Sequence, residues 1–154
     1  MAEAAVGDLL DRRAVRLTAQ AADREEAVRL CGQALVEIGA VDPSYVDSML
    51  ERERSISTYV GERVAIPHGT LAGKDAVYRD ALCFLRFPDG VDWGDDASVS
   101  VCIGIAAAGG QHVGILAQLA QILLDPDRAE ALRSATDVDT VLALLQPSTE
   151  DATA

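Results

Sequence analysis

Residues 98–106, Ser-Val-Ser-Val-Cys-Ile-Gly-Ile-Ala, start as an alternating strand and end apolar on both faces. Such a strand belongs at the centre of a sheet, because neither face can be left in water. Three more segments read as strands: Arg13 to Ala19, entering from a mobile N-terminus, the short Val64 to Ile66, and Asp80 to Phe87. Pro88-Asp89-Gly90 carries the signal of a turn after the last of these.

Helices fall between the strands. Asp23-Arg24-Glu25-Glu26 is an acidic helix start, Ala27, Cys31, Ala34, Leu35 and Ile38 recur at helical spacing, and Gly39 is the stop. Asp42 as cap and Pro43 in the first turn open a second helix, with Val46, Met49 and Leu50 facing inward. It ends in the charged stretch Glu51-Arg52-Glu53-Arg54, before a loop at residues 55–58. Gly109-Gly110 leads into a helix from about Gln111 to Leu124. Asp125-Pro126 opens another through Ala135, and Asp137 caps a last one ending near Leu145. This order predicts an α/β fold: a mixed, mostly parallel β-sheet flanked by helices on both faces, in a single domain over residues 1–154. The small, polar residues 147–154 are expected to be a disordered tail.

Composition narrows the partners. The chain of 154 residues has 13 Lys and Arg against 25 Asp and Glu, a formal net charge of −12. That argues against nucleic acid or an anionic membrane surface and suits a basic or mixed protein patch. No apolar run is long enough to span a bilayer. The acidic N-terminus lacks the basic start and apolar block of a signal peptide, so the expected compartment is the cytoplasm. The cysteines, Cys31, Cys83 and Cys102, form no C-x-x-C pair and lie among apolar residues, which reads as buried core.

The chemistry concentrates in Gly61-Glu62-Arg63-Val64-Ala65-Ile66-Pro67-His68-Gly69-Thr70. An apolar strand stops at Pro67, which fixes its own φ and cannot donate to a sheet ladder. Gly69 then allows a sharp turn or a close approach. His68 is thus presented on a stiff strand-to-turn corner. Ligand sites in α/β sheets gather at the carboxyl ends of strands. His112, the only other histidine, follows the 98–106 strand through a glycine turn and opens a helix. If the strands before the two histidines are parallel, both imidazoles lie on the same edge of the sheet. A metal site needs more ligands than two histidines, and no carboxylate or cysteine stands at a helpful spacing, so no metal or cofactor is expected. A Ser-His-Asp hydrolase would need a G-x-S-x-G elbow, which is missing. A third chemistry makes His68 itself the nucleophile, since a neutral imidazole attacks through one nitrogen when a hydrogen bond holds the other. A phosphohistidine would then want cations or a helix start nearby, and His112 and Arg52 are the available partners. Spacing alone leaves open that His68 and His112 are ordinary packed histidines and Arg52 a solvated helix-end charge.

The same run resembles the phosphohistidine motif of the enzyme IIA domains of the bacterial phosphoenolpyruvate-dependent sugar phosphotransferase system, mannitol/fructose class. Residues 45–53, 57–61, 74–77, 87–94, 103–106 and 111–116 are also similar, in order, to the mannitol-type branch, so the likeness covers about Leu10 to Leu145. The resemblance implies a phosphotransferase component that takes phosphate on His68, at the tele nitrogen, from the phosphocarrier protein HPr. It would pass it to a cysteine of a IIB (IICB) component during uptake of mannitol or a related sugar. It further implies Arg52 as the phosphoryl-stabilising arginine and His112 as the second active-site histidine. Ala72 departs from the family's usual acidic residue and Gly109-Gly110-Gln111 from its larger polar ones, which bears on partner contacts. With no IIB or IIC segment after it, the chain is expected to be a stand-alone carrier, soluble and not membrane-embedded. The alternatives are a fructose-specific IIA and a nitrogen-regulatory-type protein that signals by phosphorylation-dependent binding.

Overall fold

The structure is a computed structural model describing residues 6–70, 75–94, 96–107 and 111–145, with side chains for all of these except 6, 7 and 111–113. The elements run α1 (Val6–Leu9), β1 (Leu10–Arg16), α2 (Arg24–Glu37), α3 (Ser44–Ser55), β2 (Val64–Ala65), β3 (Ala81–Gly94), β4 (Ala97–Ala106), α4 (Gln111–Leu123), α5 (Pro126–Ser134) and α6 (Val138–Leu144). The sheet has four strands in the order β1-β3-β4-β2. β1 pairs parallel with β3 and β2 parallel with β4, while β3 and β4 form an antiparallel hairpin. It is the mixed, mostly parallel sheet read from the sequence.

Side chains alternate along β3 and β4 into two cores. Cys83, Leu85, Phe87, Val99 and Cys102 face α2 and α3, packing with Ala27, Val28, Cys31, Leu35, Met49 and Leu50. Leu82, Phe84, Val101, Ile103 and Ile105 face the other way, against Ile115, Leu119, Ala129, Leu132 and Val141 of α4, α5 and α6. The two-sided apolar character of the 98–106 run is thereby used in full. No helix among the described residues is long and apolar enough to cross a membrane.

Several boundaries differ from the sequence reading. The first strand is Leu10–Arg16, not Arg13 to Ala19, and the single turn α1 before it gave no periodic signal. Pro88-Asp89-Gly90 is not the end of a strand. It lies inside β3, where the register with β4 shifts between Arg86 and Val91 and Gly90 takes φ +77°. This is a bulge, the one interior position where a proline and a left-handed glycine suit a strand. α3 begins at Ser44, with Pro43 rather than Asp42 at the cap position. Asp42 instead accepts hydrogen bonds from the Ser44 N–H and hydroxyl in the preceding turn. Asp137 caps α6 as expected, and Asp23 and Asp125, read as helix openings, are the caps of α2 and α5. The tail at 147–154 lies outside the described residues.

One turn near β2 is strained. The Val64 N–H donates to Gly61 O at 3.0 Å, and the two residues between them have positive φ, Glu62 at 55° and Arg63 at 62°. Hairpin turns of this kind prefer Asn-Gly. Contacts on both sides hold it: Arg133 Nη1 donates to Glu62 O at 2.7 Å, and Arg63 O accepts from the N–H groups of Ser100 and Val101. Glu62→Asn should therefore raise stability by about 0.5–1 kcal/mol, since Asn tolerates the left-handed region. A urea midpoint that stays put or falls would contradict the strain.

Candidate functional site

The main chain carries His68 to the edge of the sheet. β2 pairs with Val101 and Cys102 of β4, and the pairing continues past its end: the Ile105 N–H donates to Pro67 O at 2.9 Å and His68 bridges to Ile105. Pro67 uses only its carbonyl here, so its missing N–H leaves no gap in the ladder. His68 emerges half-buried at the carboxyl end of β2, with Nδ1 2.9 Å from Ile66 O. A carbonyl can only accept, so Nδ1 bears the hydrogen and the ring lone pair sits on Nε2.

One face of α3 clamps the loop that follows. Tyr45, Ser48 and Arg52 are spaced i, i+3, i+7 and share that face. The Tyr45 hydroxyl accepts the Gly69 N–H at 2.9 Å and donates to Ile105 O at 2.9 Å. Burial pushes the Tyr45 phenol up from its ordinary pKa, which keeps the proton that the second bond requires. Ser48 Oγ accepts the Thr70 N–H at 2.8 Å and is 2.9 Å from Thr70 Oγ1. The fit is close enough to exclude a side chain at residue 69, where a β-carbon would lie 2.5 Å from Tyr45 Cε1 and 2.9 Å from Ser48 Oγ. Arg52 lies half-buried beyond Ser48, and its Nη1 donates to Ile56 O just past the helix end.

His112 stands in the first turn of α4, which follows β4. Because β2 and β4 are parallel, His68 and His112 both come after carboxyl strand ends on one edge of the sheet. The His112 side chain lies outside the described residues, as do Ala72, Gly109, Gly110 and the Gln111 side chain. Among the described residues, no group of three or more His, Cys, Asp or Glu is placed to hold a metal ion.

The cysteines converge although they are far apart in sequence. Cys31, Cys83 and Cys102 are fully buried, and Cys83 Sγ donates to Cys31 O at 3.4 Å. The neighbouring Cys102 thiol and burial hold Cys31 well above the usual thiol pKa, and burial does the same for Cys83. Buried thiols so disposed are poor nucleophiles. Sequence reasoning missed Tyr45 and Ser48, whose only signal was their i, i+3, i+7 spacing with Arg52.

Fold and mount together define a one-domain α/β protein that displays an imidazole, lone pair on Nε2, at the carboxyl edge of its sheet. The family model for the phosphoenolpyruvate-dependent sugar phosphotransferase system, EIIA 2, matches residues 8–147, and the chain belongs to that family. The mannitol-specific phosphotransferase enzyme IIA component of Halalkalibacterium halodurans is 42% identical over 137 residues, covering 89% of this chain and 94% of that protein. The mannitol-specific EIICBA component of Pasteurella multocida is 42% identical over 141 residues, 90% of this chain and 23% of that protein. The chain thus spans only about a quarter of that relative's length. Among solved structures, the Escherichia coli complex of enzyme IIA mannitol with phosphorylated enzyme IIB mannitol contains a similar chain. It has a TM-score of 0.83 and 39% identity, covering 89% of this chain and 98% of that one.

Proposed function

We propose that the chain is a mannitol-type phosphoryl carrier that accepts phosphate on His68 Nε2 from phosphorylated HPr and passes it to a cysteine of a mannitol IIB component in the cytoplasm. The observation that carries this reading is the Nδ1–H bond from His68 to Ile66 O, which puts the lone pair on Nε2. In the first transfer that lone pair attacks phosphorus, the donor's P–N bond breaks, and its electron pair returns to the donor imidazole. The His68 ring, keeping its Nδ1 proton, becomes a phosphoimidazolium steadied by Ile66 O. In the second, a IIB thiolate attacks phosphorus, the P–Nε2 bond breaks, and His68 leaves as neutral imidazole. Little covalent work remains for other residues, so they position the group and match its charge.

Arg52 and His112 are assigned that supporting work. A guanidinium offers a fork of donors to phosphoryl oxygens, whereas Lys supplies a point charge. Arg52→Ala should slow transfer by about tenfold, the scale of one charged hydrogen bond, and Arg52→Lys by less. His112→Ala should still take up phosphate but pass it on slowly. Rapid-quench measurement of uptake and onward transfer separates the two, and two Ala variants indistinguishable from wild type in both steps would remove Arg52 and His112 from the site. For the function itself, the phosphorylated protein is mixed with purified IIB domains in single turnover. Discharge to mannitol IIB supports the proposal, preferential discharge to a fructose IIB moves the sugar, and no discharge to any sugar IIB points to a regulatory protein.

A further inference from the structure

We infer that Glu53 is a positioning residue for the His68 imidazole, acting through Thr58 and Ile66 to keep the ring lone pair on Nε2. Its functional consequence rests on the reading of His68 as phosphoryl acceptor.

Glu53 follows Arg52 on α3 but points inward, and only 4% of it is exposed. Burying a carboxylate costs several kcal/mol unless its oxygens are satisfied. Among the described residues no cation pairs with it. Three donors converge on it instead: the Thr58 N–H at 3.0 Å, the Thr58 hydroxyl, and the Trp93 indole N–H at 3.1 Å. An apolar residue could fill the space but could not gather a main-chain N–H, a hydroxyl and an indole at one point. Glu53 therefore pins Thr58 to α3 and to the end of β3.

Thr58 begins a short return segment that runs antiparallel along the outer edge of β2. Thr58 O accepts the Ile66 N–H at 3.0 Å, Tyr59 bridges to Ala65, and the Val60 N–H donates to Val64 O at 3.0 Å. Ile66 is thus held by its N–H on one side while its carbonyl accepts the His68 Nδ1–H on the other. The direction of that carbonyl decides which tautomer is favoured. If it turns away, Nδ1 loses its acceptor, the Nε2–H form gains population, and that form has no lone pair at Nε2 to attack with.

The test is Glu53→Gln in the full chain, unphosphorylated and 15N-labelled, at a pH where His68 is neutral. Gln keeps the shape but turns an N–H₂ toward groups that are themselves donors. The imidazole 15N shifts give the ratio of Nδ1–H to Nε2–H forms. That ratio should fall about tenfold, equivalent to about 1.4 kcal/mol, with a parallel loss in the single-turnover phosphorylation rate. Thr58→Ser, which keeps the hydroxyl and main chain, should leave it unchanged. So should Val141→Ala, a core truncation in α6 on the opposite face of the sheet. An unchanged ratio in Glu53→Gln, or an equal fall in Val141→Ala, overturns the inference. If Glu53→Gln does not fold, Trp93→Phe removes one of the three donors and should lower the ratio in the same direction; no change there also overturns it. The ratio is read without phosphate, so a shifted ratio in a protein that never takes up phosphate on His68 refutes the proposed function and not the role of Glu53.

Discussion

His68→Ala should reduce phosphate uptake from phosphorylated HPr to background while leaving the fold and thermal midpoint close to wild type. The side chain is half-buried at a sheet edge, outside both apolar cores, so its removal opens no core cavity. It also takes away the one imidazole, among the described residues, whose Nε2 lone pair is set to attack phosphorus. Cys31, Cys83 and Cys102 are buried in the core away from His68, with the Cys31 and Cys83 thiols held well above their usual pKa, and all three should be dispensable for uptake. The check is acid-labile phosphate in each variant, with circular dichroism to verify folding. Undiminished labelling of His68→Ala would remove the assignment, and loss of labelling in a folded Cys→Ser variant would move it to that thiol.

Gly69→Ala is expected to be nearly as harmful from a position that does no chemistry. A β-carbon there meets Tyr45 Cε1 at 2.5 Å, Tyr45 Cζ at 2.7 Å and Ser48 Oγ at 2.9 Å. Tyr45 cannot easily yield, because its hydroxyl is tied to both the Gly69 N–H and Ile105 O. The loop has to lift instead, and it carries His68 with it. Overpacking of this kind costs about 1–3 kcal/mol of stability. A misplacement of about 1 Å at the attacking atom costs about 10²-fold in rate. Single-turnover phosphorylation and urea unfolding should therefore disagree in scale: a large kinetic loss beside a modest stability loss. A Gly69→Ala protein that transfers at the wild-type rate would show that the α3 clamp does not position His68.

What the sequence displayed was local. Asp23 and Gly39 bracket α2 because caps and stops act within a few residues of themselves. The two-sided apolar run became β4 because burial on both faces leaves a mark on every position. β1 was misplaced because it is an edge strand, with Leu10 and Ala14 buried and the rest half-buried or exposed, so its alternation is weak. Pro88-Asp89-Gly90 looks like any turn, and only pairing with β4 on both sides makes it a bulge.

At the site the same division holds. The Pro67-His68-Gly69 corner is legible because proline and glycine constrain their own backbone. The contacts that aim it are long-range: Tyr45 reaches Gly69 over 24 residues and Ser48 reaches Thr70 over 22. Glu53 was hidden among the charges of residues 51–54, where nothing in the spacing says that one of four is buried. The three cysteines could not be seen to meet, since α2, β3 and β4 bring them together only when the layers pack.

The most direct test maps the phosphorylated atom. The 15N-labelled protein is charged by phosphorylated HPr, and the nitrogen coupled to phosphorus is identified by NMR. The expected result is a single phosphoryl group on Nε2 of His68, with Nδ1 still protonated and bonded to Ile66 O. Phosphorus on Nδ1 of His68, on His112, or on any other residue would contradict it.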